Sequence, residues 1–198
     1  MEMKSSHKLN VFHSKSTAIG ADHNTTVFFI HGSMGSLTHF SDLMTAFDGR
    51  VNIVAYDTIG CGESDKPDDY LEYSTQSMTA YAIEIFDRFC TAKNILVGHS
   101  YGTAQVARLC SHAIKLQPDS MNASISGVVL LGTVDCLPKG GSSLFSIFKL
   151  PLFVLKPMQS WMSKAYVDTA FSVHSDPMLK KRALLLAGIH RCQSACQL

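Results

Sequence analysis

No stretch of the 198 residues approaches the ~20 consecutive apolar residues that a membrane-spanning helix needs. The nearest candidate, Leu144–Leu155, is short and is interrupted by Lys149 and Pro151. The N-terminal segment Met1–Ile19 lacks the apolar core of a secretion signal, so a cytoplasmic or other reducing location is expected. An excess of charge is lacking too. Seventeen Lys+Arg against sixteen Asp+Glu leave +1, which gives no electrostatic footprint for nucleic acid or an acidic membrane surface. The six cysteines (Cys61, Cys90, Cys110, Cys136, Cys192 and Cys196) contain no zinc-type Cys-x-x-Cys pair and read as reduced, mostly buried thiols. Cys192-x-x-x-Cys196 has no partner ligands near it and reads as terminal coil. No metal and no cofactor are expected.

What is present is enough for a core. Hydrophobic residues make up 46% and charged residues 17%, which excludes a disordered chain. The length suits one domain with an appended segment. No internal repeat is visible, so solenoids and propellers drop out. Short apolar runs recur at Val27–Ile30, Val51–Tyr56, Ile95–Val97 and Val128–Leu131, each stopped by glycine or a polar residue. Their length and their Val, Ile and Phe content suit strands buried on both faces. Between them Met78, Tyr81, Ala82, Ile85, Phe86 and Phe89 repeat at helical spacing, as do Val106, Leu109, Ala113 and Ile114. This alternation predicts an α/β fold, a mainly parallel, doubly wound sheet with helices on both faces. Leu9–Phe12 and Ser16–Ile19 are expected to form a leading hairpin. Residues 1–137 make the core; 138–198, after Pro138, read as a helical cap or lid and an unassigned tail.

Three motifs carry chemistry. The first is Gly98-His99-Ser100-Tyr101-Gly102, a Gly-x-Ser-x-Gly pattern between an apolar run and a helical pattern. A nucleophile on a sharp strand-to-helix turn needs neighbours without a Cβ, because the backbone there is strained and crowded. The second, His31-Gly32-Ser33-Met34-Gly35-Ser36, follows the Val27–Ile30 run and can aim a backbone N–H at an oxygen that turns negative. The third runs from Asp57 through Gly60 and Gly62 to Ser64. A dinucleotide fingerprint would need glycine at position 65, where Asp65 stands, so this loop reads as structural and Asp57 as an anchor.

In this order the three motifs resemble the α/β-hydrolase superfamily, in the branch of epoxide hydrolases, dehalogenases and abhydrolase-domain lipases, over about Val27–Val134. The resemblance implies Ser100 as nucleophile and the N–H groups of Ser33 and Tyr101 as an oxyanion hole, with His31, Gly32, Met34 and His99 around the bound group. Aspartate at this elbow opens epoxides and carbon–halogen bonds, whereas serine suits attack on an acyl carbonyl. A carboxyl ester, lipid esters included, is therefore the expected substrate, cleaved through an acyl-enzyme. Phe145, Phe148 and Phe153 would give the lid an apolar underside and permit transient membrane contact. The family places its acid and histidine after later strands. Asp135 stands where some members put the acid, although a polar strand end is its plainer reading. His174 and His190 read as packed or solvated residues. The chain is thus expected to lack the C-terminal strands, with its base beyond Leu198 or at an unexpected place within it. The alternative is a catalytically inactive α/β-hydrolase-like binding module.

Overall fold

Unbroken β-branched and aromatic runs become the central strands in the computed structural model, which describes residues 7–115, 124–133 and scattered positions between 157 and 181. In chain order the elements are β1 (Val11–Ser14), β2 (Asp22–Ile30), α1 (Ser41–Phe47), β3 (Val51–Tyr56), α2 (Thr75–Phe89), β4 (Lys93–His99), α3 (Tyr101–Lys115) and β5 (Ser124–Leu131). They build one sheet in the order β1-β3-β2-β4-β5. All neighbours are parallel except β1, which runs antiparallel to β3.

Alternation along β2 and β3 separates two cores. Phe28, Ile30, Val54 and Tyr56 point to the face covered by α2 and α3, where Met78, Tyr81, Ile85, Val106 and Leu109 meet them. Val27, Phe29, Ile53 and Ala55 point to the other face, under Phe40 and Met44. Every second residue faces one side, as the pleat requires, and both sides are apolar because helices cover both. Each fully buried side chain of this size contributes about 1.5–3 kcal/mol. The helix α2 starts where Ser74 Oγ accepts the Ser77 N–H at 3.2 Å, satisfying one of the otherwise unpaired donors of its first turn.

Two sequence expectations fail. The leading hairpin does not form: β1 pairs with β3, register Val11↔Tyr56 to Ser14↔Ile53. Residues 16–19 form no strand, so β1 finds its partner in β3. Residues 16–19 instead form a connection held at Thr17 and Ala18 by the Gly49 carbonyl. Nor is β5 buried on both faces. Val128, Val129, Leu130 and Leu131 are 37–46% exposed, because among the described residues β5 pairs with β4 alone. In the expected cap, described positions such as Trp161 and Val167 are helical; Leu144–Leu155, Cys192–Leu198 and the boundary near 137 lie outside the described residues. Among the described residues no helix is long and apolar enough to cross a membrane.

Candidate active site

The strand β4 ends at His99, α3 begins at Tyr101, and Ser100 between them has φ +51°. This is the left-handed region, where a residue with a Cβ carries roughly 1–2 kcal/mol of strain. The surroundings hold it there. Ser100 N–H donates to the Leu131 carbonyl at 2.9 Å, and the Ser100 carbonyl accepts from Thr103 N–H at 2.9 Å and Thr103 Oγ1 at 2.6 Å. A Cβ on Gly102 would lie 2.1 Å from the Ile30 carbonyl oxygen, and one on Gly98 would lie 2.8 Å from the Gly102 oxygen. The turn is this tight because the start of α3 presses on the end of β2.

The loop after β2 lies against the same serine. A Cβ on Gly32 would stand 2.8 Å from Ser100 Cβ and 3.0 Å from the His99 carbonyl oxygen. Gly35 N–H closes a turn onto the Gly32 carbonyl at 3.1 Å, and Met34 within it has φ +55°. Ser33 and Met34 are half-buried. His31 is 1% exposed and serves this loop as an internal brace. Its Nε2 accepts the Thr58 N–H at 3.0 Å, so Nδ1 carries the hydrogen and donates to the Gly32 carbonyl at 2.7 Å. Both ring nitrogens are committed, which removes His31 as a proton acceptor for Ser100.

The third motif braces the second. Asp57, 2% exposed, accepts from Leu37 N–H at 2.7 Å, Glu63 N–H at 2.9 Å and Asn10 Nδ2 at 2.9 Å. One carboxylate thereby joins the loop after β2, its own loop and the segment before β1. Gly62, at φ +49°, has to be glycine: a Cβ would lie 2.0 Å from Asp57 Oδ2. Such a committed carboxylate is an anchor.

Two further imidazoles stand close by. His99 is half-buried beside Gly32, and its Nδ1 is buried without a hydrogen-bond partner. His39, on the short 3-10 turn Leu37–Phe40, is held below the ordinary imidazole range by desolvation and then by His99, against an upward pull from Asp57. The structure therefore gathers His31, Gly32, His99 and Ser100, with Tyr101 opening the helix beyond. Asp135, His174 and His190 lie outside the described residues. Among the described residues no histidine ring is hydrogen-bonded to the Ser100 hydroxyl. Sequence reading missed His39 and the Thr58 and Asn10 contacts; the short spacing from His31 to His39 was the available signal for the first.

Comparison with known proteins agrees with this fold. Residues 25–189 match the family model described as alpha/beta hydrolase fold. The chain is similar to protein ABHD8 of Mus musculus, 29% identical over 154 residues, covering 77% of this chain and 33% of that protein. It is also similar to a probable 1-acylglycerol-3-phosphate O-acyltransferase of Oryza sativa subsp. japonica, 35% identical over 81 residues, covering 39% of this chain and 19% of the other. The chain thus spans about a third of the length of the curated relatives it matches first. Among solved structures, a putative aryl esterase from Burkholderia cenocepacia superposes with a TM-score of 0.72 at 18% identity, covering 96% of this chain and 67% of that one.

Proposed function

Because the chain belongs to the alpha/beta hydrolase fold family, we propose that it supplies the nucleophile and oxyanion hole of a serine hydrolase acting on a carboxyl ester, lipid esters included. The observation that carries this reading is Ser100 itself, held left-handed at a glycine-hemmed turn with the Gly32 loop against it. A serine held in that conformation supports the reading, because an ordinary turn meets it with glycine.

In this reading Ser100 Oγ attacks the ester carbonyl as a histidine takes its proton. The carbonyl oxygen becomes negative and is met by the N–H groups of Ser33, in the loop braced by Asp57 and His31, and Tyr101, at the start of α3. Collapse of the tetrahedral adduct expels the alcohol, which recovers the proton and leaves an acyl-enzyme for water to hydrolyse. The name of the rice relative denotes acyl transfer, which accords with attack at an acyl carbonyl. Phe145, Phe148 and Phe153 are the residues proposed to line the acyl chain's path and to touch a membrane surface transiently.

A fluorophosphonate probe tests the nucleophile. The folded protein should be labelled on Ser100, and Ser100→Ala should abolish the label. A full-length, folded wild-type protein that stays unlabelled would overturn the reading in favour of a non-catalytic binding module.

A further inference from the structure

At the opposite end of the strands from Ser100 lies a cleft of about 520 Å³, which the reaction above does not use. The end of β1, the connection into β2 and the C-terminus of α2 form its walls. Lys15 and Arg88 stand exposed in it, one from each side, together with His13 and His23. Among the described residues lining it there is no carboxylate. Glu84 reaches Arg88 at 3.5 Å from one helical turn back, and that contact takes one of the five guanidinium donors.

The cleft is also shaped. His13 packs on Phe89 with ring centroids 4.8 Å apart, which gives it an aromatic wall. At its floor the buried Ser16 Oγ lies 2.6 Å from His23 Nδ1, and Asn52 Oδ1 accepts the Ser16 N–H at 3.2 Å. The Asn52 amide donates in turn to the His23 and Thr25 carbonyls at 2.9 and 3.1 Å. This network fixes His23 through Nδ1, so Nε2 is the edge left to meet a ligand. His13 registers the local charge: partial burial, then the Lys15 ammonium, holds it below the ordinary imidazole range.

We propose that this cleft is a second ligand site, taking a small phosphate monoester whose dianion bridges Lys15 and Arg88 while its organic part lies along Phe89. Two cations carried into one cleft by separate elements favour a dianion over a monocarboxylate, because each added charge is answered by a second pole. The site is independent of Ser100. Thr26 lines it, whereas β2 reaches the catalytic loop only after Ile30, roughly 13 Å further at the usual strand rise.

Inorganic phosphate at constant ionic strength, followed through the His13 and His23 ring resonances, tests the proposal. A saturable shift is expected, with the His13 pKa moving up as the dianion offsets Lys15. Acetate at the same ionic strength should give a much weaker effect. The Lys15→Gln/Arg88→Gln variant should bind about tenfold to a hundredfold more weakly, the loss expected for charge-assisted hydrogen bonds. Both side chains are exposed, so an unchanged far-UV spectrum should accompany that loss. Ser100→Ala should bind phosphate as the wild type does, which separates this site from the catalytic one. No saturable shift, or one that persists in the double variant, would overturn the proposal.

Discussion

The two ends of the parallel strands are built by opposite rules. At the end that carries Ser100, close contacts fix the backbone: Gly102 against the Ile30 carbonyl, Gly32 against Ser100, and Gly62 against Asp57. At the other end Lys15, Arg88, His13 and His23 are exposed around an open cleft, and the tight bonding lies beneath and beside them, in the Ser16–Asn52 network and the Thr26–Thr91 pair. One end spends its packing on holding atoms at fixed places. The other keeps charged groups where a ligand can reach them. A sheet whose central strands bury Phe28, Phe29, Ile53 and Val54 can carry both, because the middle of the sheet already supplies the interior.

A glycine from each end gives the widest contrast. Gly102→Ala drives a methyl group into the Ile30 carbonyl and should cost more than about 4 kcal/mol, enough to abolish cooperative folding. Gly20 also has a positive φ, +80°, yet a Cβ there would meet nothing within 4 Å. Gly20→Ala should therefore cost only about 1–2 kcal/mol of backbone strain. Urea denaturation of the two variants checks this; similar midpoints would dissolve the contrast.

Substitution of charged groups should follow the same order. Asp57→Ala strands two partly buried N–H donors and the Asn10 amide, a loss of about 3 kcal/mol. It should also lower fluorophosphonate labelling, since the loop beside Ser100 is then unbraced. Lys15→Gln, at an exposed position, should change stability by less than about 0.5 kcal/mol in thermal melts.

The smallest effect separates two histidines. His39 and His13 both lie below the ordinary imidazole value, with burial the leading cause at each and different neighbours second: His99 for His39, Lys15 for His13. In both cases the unfolded chain, titrating near ~6.5, holds protons more tightly than the native one. The associated stability is intact above that pH and is lost as pH falls through each folded pKa. NMR titration should show Lys15→Gln raising the His13 pKa while leaving His39 where it was.

Much of the site end was legible in the sequence because its rules are local. Gly98, Ser100 and Gly102 announce a crowded turn by their spacing, and β3 was delimited at both ends by its apolar run. The cleft end was illegible for the converse reason. Ser16, His23, Asn52 and Arg88 are distant in the chain and come together only when β1 crosses to β3, the pairing that an expected hairpin concealed. β2 begins five residues earlier than its apolar run because Asp22–Thr26 are polar side chains satisfied by each other and by the ladder. The seven-residue α1 is too short for helical periodicity to show, with Met44 its buried residue. β5 misled in the other direction: its composition is that of a buried strand, while among the described residues its place is at the edge.

The positive φ of Ser100 sets stability against chemistry at a single residue. Glycine occupies that region without penalty, so Ser100→Gly should be more stable than Ser100→Ala in thermal melts, by about 1 kcal/mol. It should also match or exceed the wild type, although the probe would no longer react with it. Met34 at +55° adds a second such strain in the neighbouring loop after β2. Improvement of this fold by screening for thermal tolerance alone would accordingly drift toward glycine at both positions, and away from any reaction there.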